Sequence, residues 1–224
     1  YIVDWYTEYT NKRTKATYEI KEKMQELFGN NYAKYNEDEI VQKVYRFITD
    51  SIRYSSVSFR QSGYIPQKAR DVLINKIGDC KDVATLAITM LAEAGIKSDY
   101  VLVNTNTSLL TDELPSRSFD HVIVKVNGKT KTRFLDFTAS NFPIGNVPSG
   151  DVESFALHIT PGNTKAMHLE RSLFEPNTIT HTVDATINDA GDLSAQSTTV
   201  YRGELSARVR AVLRTKGKKD REKY

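Results

Sequence analysis

The chain has 224 residues, of which 39% are hydrophobic and 10% aromatic, so it holds enough apolar material for a packed core. The formal net charge is only +3, and basic and acidic residues are interleaved until the last stretch, which gives no basis for a nucleic-acid partner. A single cysteine excludes an intrachain disulfide and a zinc site made of several thiolates, and no apolar run is long enough to span a membrane.

The first 35 residues are predicted to form a helical lead-in. An aromatic cluster of Trp5, Tyr6 and Tyr9 opens it, and a helix is expected over residues 15–28, ended by Gly29. Because the sequence begins without an initiator Met or a signal peptide, we expect the chain to be a piece of a longer protein.

An amphipathic helix is predicted next. Asn36 is a capping residue with Glu39 at the third helical position. Apolar residues then recur at helical spacing, at Ile40, Val41, Val44, Tyr45, Phe47, Ile48 and Ile52. The irregular stretch 53–70 that follows has the length of a loop that often contributes to a site.

The segment 78–96 contains the only cysteine. From Lys81 onward its residues are apolar nearly all round, which predicts a buried helix ended by Gly95. Cys80 then lies at the helix N-terminus, where unpaired N–H groups and the helix dipole favour the thiolate and could stabilise an oxyanion. A lone cysteine is also commonly a small buried hydrophobe, and this segment alone leaves both interpretations open.

A strand pattern follows at 99–103, 121–126 and 132–137, and Asn127-Gly128 is a strong hairpin signal between the last two. A two-residue loop at 127–128 would place Asp136 diagonal to His121, and a four-residue loop at 127–130 would pair them directly. Either even-length loop puts both side chains on one face, whereas an odd loop or a bulge would separate them.

The rest of the chain is less regular. Residues 138–175 are rich in proline and glycine and are expected to form a long surface loop or linker, whereas 178–187 and 193–201 read as strands and 203–213 as a helix. The tail 214–224 is expected to be a solvated end. The predicted organisation is a helical lead-in at 1–35, a core at 36–145, a loop or linker at 146–176, and a partial β-rich domain with a terminal helix at 177–224.

Three residues of the core have complementary chemistry. A cysteine nucleophile needs a base, and the base needs a group that orients it. If the sheet packs against the cysteine helix, Cys80, His121 and Asp136 form a Cys-His-Asp triad. The imidazole would then transfer the proton, while the aspartate fixes its tautomer and ring orientation.

The order helix-Cys, strand-His, strand-Asp resembles the transglutaminase-like superfamily, a circular rearrangement of the papain-like cysteine-protease core. The resemblance covers roughly 37–140. It rests on a set of four motifs. Gly78-Asp79-Cys80-Lys81-Asp82 resembles the family's Gly-x-Cys-x-(Asp/Glu) motif, and Ala94-Gly95-Ile96 resembles the end of its cysteine helix. Phe119-Asp120-His121-Val122 resembles the histidine strand, and Asp136-Phe137-Thr138 resembles Asp-Pro-Thr, with Phe in place of Pro.

Two positions depart from the family pattern. Many members have an aromatic residue after the histidine, where this chain has Val122, and many have an upstream Trp that helps to form the oxyanion hole. The only Trp here is Trp5, so Tyr54 is the candidate substitute. The region 177–213 resembles the small β domain that follows this core in large envelope proteins of Bacteroidetes-type bacteria, which implies a periplasmic, cell-envelope or exported location.

The resemblance implies an α+β fold, with a transglutaminase-like core whose cysteine helix packs on an antiparallel sheet, followed by a small β-rich segment. It implies a thiol-dependent peptidase or amidohydrolase that acts on a peptide or protein through a thioester, without a cofactor. Transglutaminase-type cross-linking and a non-catalytic binding or assembly module are the alternatives. No metal is expected, because His158, His168 and His181 show no ligand spacing. The sequence does not determine the oligomeric state.

Overall fold

The computed structural model describes residues 1–55, 63–106, 118–174 and 176–222. Its helices are α1 (Ile2–Asn11), α2 (Tyr18–Phe28), α3 (Glu37–Ser51), α4 (Ala69–Asn75), α5 (Cys80–Glu93), α6 (Glu204–Thr215) and α7 (Lys218–Arg221). Its strands are β1 (Arg53–Tyr54), β2 (Ile77–Gly78), β3 (Ser98–Asn104), β4 (His121–Asn127), β5 (Thr132–Leu135), β6 (Phe155–His158), β7 (Met167–His168), β8 (Ile179–Ile187) and β9 (Leu193–Tyr201). Within the described ranges, no helix combines the length and apolar character needed to cross a membrane.

Helix α5 is the centre of the core. Every residue from Cys80 to Leu91 is buried, as the apolar pattern on all sides of the helix predicts. A capping box formed by Asp79 and Asp82 starts the helix. Gly95 follows its end with a φ of +76°, a conformation that favours glycine. The predicted helix is confirmed.

A five-stranded antiparallel sheet in the order β5-β4-β3-β6-β7 packs against this helix. Tyr100 and Leu102 of β3 and Val124 of β4 belong to the same core cluster as the helix. Their neighbours along the strands, such as Val101 and Ile123, form a smaller apolar cluster on the other face. The expected α+β architecture, with the cysteine helix on an antiparallel sheet, is therefore observed.

The β4–β5 hairpin has a different register from both alternatives considered above. Asn127 pairs with Thr132, so the loop consists of residues 128–131, and β5 ends one residue before Asp136. The loop is even in length, but the direct pairing of His121 with Asp136 is wrong. A tertiary contact holds this loop, because the Lys129 N–H donates to Glu37 Oε2 of α3 at 3.0 Å.

The expectation of a loop or linker at 146–176 is wrong for the middle of the segment. Strand β6 lies there, pairs with β3 inside the sheet, and buries Phe155, Ala156 and Leu157. Strand β7 then pairs with β6. A four-residue strand between prolines and glycines carries too short a pattern to be read as a strand, and its partner β3 lies about fifty residues away in the sequence.

Other differences are small. The first aromatic cluster lies on a helix of its own, α1, and the helix expected from residue 15 begins at Tyr18. Strands β8 and β9 pair from Ile179–Tyr201 to Ile187–Leu193, as predicted, but every residue of both strands is exposed. The described part of the terminal stretch is largely exposed, as expected for a solvated end, and it contains the short helix α7.

Candidate active site

The structure brings the three predicted triad residues together. Cys80 is the first residue of α5, His121 is the first residue of β4, and Asp136 directly follows β5. His121 Nε2 lies 3.2 Å from Asp136 Oδ2, and the Cys80 thiol is close enough to His121 to raise the pKa of the imidazole. Three elements that are distant in the sequence therefore meet at one end of the sheet.

Asp136 is oriented by the residues that follow it. Its Oδ1 accepts hydrogen bonds from the Thr138 N–H at 2.8 Å and from the Thr138 hydroxyl at 2.7 Å. The ring of Phe137 packs against Tyr45 of α3, whose hydroxyl donates to the Ala139 carbonyl at 2.7 Å. These contacts fix the segment after β5 and leave Oδ2 for His121.

The surroundings of His121 favour its charged form. Burial lowers the pKa of the imidazole, but the charge and hydrogen bond of Asp136, the hydrogen bond with Cys80 and the charge of Asp151 raise it, and the net pKa is well above its usual value. Because Asp136 contacts Nε2, Nδ1 is the nitrogen left to exchange a proton with the thiol. The arrangement suits a thiolate–imidazolium pair.

Sequence reasoning missed Asp151, a second carboxyl group beside His121. Its Oδ1 lies 3.9 Å from His121 Nε2, and its side chain is 4% exposed. Burial, followed by the charge of Asp136, raises the pKa of Asp151 to about 7. No local signal marks this residue, because it follows Ser149-Gly150 in a segment that reads as a loop.

The acidic residues next to Cys80 fix the backbone around it. Asp82 Oδ1 accepts from the Gln67 N–H at 2.7 Å, and its Oδ2 accepts from the Gln67 amide at 2.8 Å and from the Asp79 N–H at 3.1 Å. Lys81 is 2% exposed, and its ammonium group bonds to Asp79 Oδ2. We infer that these charges stabilise the turn that presents the thiol.

Gly78 belongs to the same turn for a steric reason. A Cβ at this position would lie 2.7 Å from Cβ of Asp82 and 3.3 Å from a methyl group of Val72, so a larger residue would displace the cap of α5. The Gly78-Asp79-Cys80-Lys81-Asp82 motif therefore sets the shape of the turn before α5 as well as supplying the thiol.

Tyr54, the predicted oxyanion-hole candidate, lies next to this turn. Strand β1 pairs in parallel with β2, which places Tyr54 opposite Gly78. Its side chain is partly exposed, and burial, followed by the charge of Cys80, raises the pKa of its hydroxyl. Its role as an oxyanion donor stays a prediction. Residues 56–62 of the loop expected to contribute to the site lie outside the described residues.

The other residues considered in the sequence have different surroundings. Trp5 packs edge-on against Tyr64 and near Tyr9. Of the remaining histidines, His158 on β6 pairs with Asp99 on β3, with Nε2 and Oδ2 3.0 Å apart, which makes a second His–Asp pair in the same sheet.

Comparison with known proteins identifies a family for the core of the chain. Residues 21–131 match the sequence model of the transglutaminase-like superfamily, a region that contains Cys80 and His121 and ends before Asp136. No curated protein matches the sequence.

Two solved structures are similar to this chain. A Parabacteroides distasonis protein described as a "putative protease" is 22% identical with a TM-score of 0.54, over 72% of this chain and 30% of that one. A Cytophaga hutchinsonii protein described as a "putative cysteine protease" is 14% identical with a TM-score of 0.43, over 82% of this chain and 50% of that one. The first similarity supports the fold, and this chain spans less than a third of that protein's length.

Proposed function

The chain belongs, through residues 21–131, to the transglutaminase-like superfamily, and from this premise we propose that it is a thiol-dependent peptidase or amidohydrolase. The supporting observation is the line of contacts from Cys80 at the N-terminus of α5, through His121, to Asp136. This is the order that a nucleophile, its base and an orienting carboxylate require.

Acylation begins with a proton transfer from the Cys80 thiol to His121. The thiolate attacks the carbonyl carbon of an amide in a peptide or protein substrate. The developing oxyanion accepts hydrogen bonds from the Cys80 N–H at the helix N-terminus and, as we propose, from the Tyr54 hydroxyl. The imidazolium of His121 then donates its proton to the leaving amine, the C–N bond breaks, and a thioester remains.

Deacylation reverses these roles. Water attacks the thioester carbonyl and gives a proton to His121, which returns it to the departing Cys80 sulfur, so that the carboxylic acid product and the free thiol are formed. Asp136 holds the ring orientation throughout and stabilises the imidazolium form. If a primary amine replaced water in this step, the same intermediate would give transglutaminase-type cross-linking.

The alkylation rate of Cys80 as a function of pH tests the proposal, in the wild type and in His121→Ala. Because Cys80 is the only cysteine, the intact mass reports its modification directly. We expect the wild type to react with iodoacetamide well below pH 7, and His121→Ala to follow an ordinary thiol, whose pKa is about 8.5. The same slow, high-pH profile in both proteins would contradict the proposal and favour the non-catalytic binding module.

A second assay separates hydrolysis from cross-linking. The wild type is incubated with a casein substrate and a fluorescent primary amine, with Cys80→Ala as the control for both activities. Peptide cleavage or ammonia release without label in the casein is the expected result. Incorporation of the amine into casein would assign acyl transfer to the same thioester, because formation of that thioester from a glutamine side chain releases ammonia in both reactions and only label incorporation distinguishes them.

A further inference from the structure

Two buried carboxyl groups flank the same histidine. Asp136 Oδ2 lies 3.2 Å and Asp151 Oδ1 3.9 Å from His121 Nε2. One polar atom from each of the three side chains lies within 4.8 Å of the other two. Both carboxyl side chains are almost inaccessible, at 2% and 4% exposure. The proposed triad accounts for Asp136 and leaves Asp151 without a role.

Backbone hydrogen bonds hold Asp151 in this position. The Asp151 N–H donates to the Pro148 carbonyl at 2.9 Å, and the Ser154 N–H donates to the Asp151 carbonyl at 3.3 Å. The Ser154 hydroxyl donates to the Gly150 carbonyl at 2.7 Å, and the Leu169 N–H, just after β7, donates to the Ser154 carbonyl at 3.0 Å. The turn is therefore anchored to the edge of the sheet.

The two carboxyl groups differ in the hydrogen bonds available to them. Asp136 accepts two from Thr138. Asp151 Oδ2 is buried and accepts none from any residue that the structure describes. A buried carboxylate oxygen without a donor is costly, and two carboxylates this close do not both ionise unless a cation lies beside them. The cluster therefore needs a proton on Asp151, on His121, or on both.

We propose that Asp151 is a positioning residue of this site. Together with Asp136 it stabilises the imidazolium form of His121, and it changes the strength of this stabilisation by binding or releasing one proton. The inference rests on the proposed function, because it assigns a part in the proton transfer between Cys80 and His121. With a protonated Asp151, the imidazolium faces one negative charge. When Asp151 releases its proton to solvent, the imidazolium faces two and persists to higher pH.

The electrostatics of the cluster place this exchange near neutral pH. Burial, then the charge of Asp136, raises the pKa of Asp151 to about 7, with a smaller contribution from Asp120, whereas the charge of His121 lowers it. The titratable groups that face this cluster from the described elements are Cys80 of α5, Tyr45 of α3, Tyr54 of β1, Asp120 and His121 at the start of β4, and Asp136 after β5.

The test is Asp151→Asn in the full chain, which keeps the side-chain volume and removes the titratable charge. Asp99→Asn is the matched control, because it removes the carboxylate of the second His–Asp pair. The pKa of His121 is measured from its ring carbon signals by NMR, assigned with His121→Ala. We expect Asp151→Asn to lower the pKa of His121 by about one pH unit or more, and Asp99→Asn to leave it unchanged. Equal titration of His121 in the wild type and Asp151→Asn overturns the inference.

A measurement on the unmodified protein covers the case in which Asp151→Asn does not fold. With ¹³C-labelled aspartate, one carboxyl carbon of the wild type must titrate between about pH 5.5 and 8.5, far above an ordinary aspartate. Its absence overturns the inference. The two proposals also fail separately. An inert Cys80 beside a His121 that responds to Asp151→Asn contradicts only the proposed function, and an activated Cys80 beside an unresponsive His121 contradicts only the role of Asp151.

Discussion

The sheet carries two His–Asp pairs with nearly the same geometry and different surroundings. His121 and Asp136 are 3.2 Å apart, and His158 and Asp99 are 3.0 Å apart. The two histidine side chains are also similarly buried, at 14% and 16% exposure. Only the first pair has a thiol beside it, because the chain contains one cysteine. A His–Asp contact is therefore not a site by itself. The first pair is a candidate site because helix α5 places Cys80 beside it.

The charges around the two pairs differ as well. Burial raises the pKa of Asp99, but hydrogen bonds from His158 and Asn127 and the charges of His158 and Lys97 lower it, with a net decrease. The Asn127 amide donates to Asp99 Oδ2 at 2.7 Å. The carboxylate of Asp99 in the second pair is therefore stabilised by hydrogen-bond donors. The first pair has an additional carboxyl group, Asp151, and its negative charge is offset by bound protons rather than by further donors.

The largest difference should appear when each histidine is removed. His121→Ala should slow Cys80 alkylation at pH 6 by about 100-fold, because an ordinary thiol is almost fully protonated there. His158→Ala should change the rate by no more than about twofold, since its partner is Asp99. The rates come from intact mass against time. Equal effects of the two substitutions would remove the functional distinction between the pairs.

The second comparison removes the carboxylates. Asp136→Asn should lower the pKa of His121 by about 1–3 pH units, because the nearest charge and a hydrogen bond are lost together. Asp99→Asn should leave the pKa of His121 unchanged and affect only the ring signals of His158. NMR titration of all four histidines in one series reports both. A His121 that titrates as in the wild type after Asp136→Asn would contradict the orienting role.

Stability should also depend on pH in a direction set by Asp151. Its pKa is raised from 3.8 to about 7 in the folded protein, so between these values the native state holds a proton that the unfolded state has released. The contribution of this proton to the free energy of unfolding has its full value below about pH 4 and is lost as the pH rises through about 7.

Asp151→Asn removes this dependence. The free energy of unfolding of Asp151→Asn minus that of the wild type should therefore be about 2 kcal/mol larger at pH 7.5 than at pH 5. Urea unfolding at both pH values measures the change, and Asp99→Asn, whose carboxylate already has a lowered pKa, should show no such increase. A constant difference between Asp151→Asn and the wild type across this range would contradict the raised pKa.

Much of this site was predictable because its signals are local. The capping box at Asn36 and the buried helix after Cys80 are patterns within a few residues, and the structure has both. His121 and Asp136 could be expected to meet because an even-length hairpin loop joins their strands. The register itself was not predictable, since the contact of Lys129 with Glu37 on α3 is a tertiary one.

Asp151 was not predictable for a related reason. Its place beside His121 depends on β6, a four-residue strand that enters the sheet next to β3, and on the turn that precedes this strand. Neither element has a periodic pattern long enough to read. The second His–Asp pair depends on the same strand, because His158 is the last residue of β6. The sequence therefore indicated the chemistry of one pair and contained no sign of the other.

The smallest effect should come from the residue that orients Asp136. Thr138→Val removes the hydroxyl that donates to Asp136 Oδ1 at 2.7 Å and keeps the backbone N–H that donates at 2.8 Å. One of two neutral donors to a carboxylate is lost, so Cys80 alkylation at pH 6 should slow by about threefold to tenfold. The matched control is Thr89→Val, which removes a buried hydroxyl bond in α5 about 13 Å along the helix from Cys80. If Cys80 alkylation slows equally in both variants, the effect reflects packing. If it slows only in Thr138→Val, the orientation of Asp136 limits how strongly His121 binds its proton.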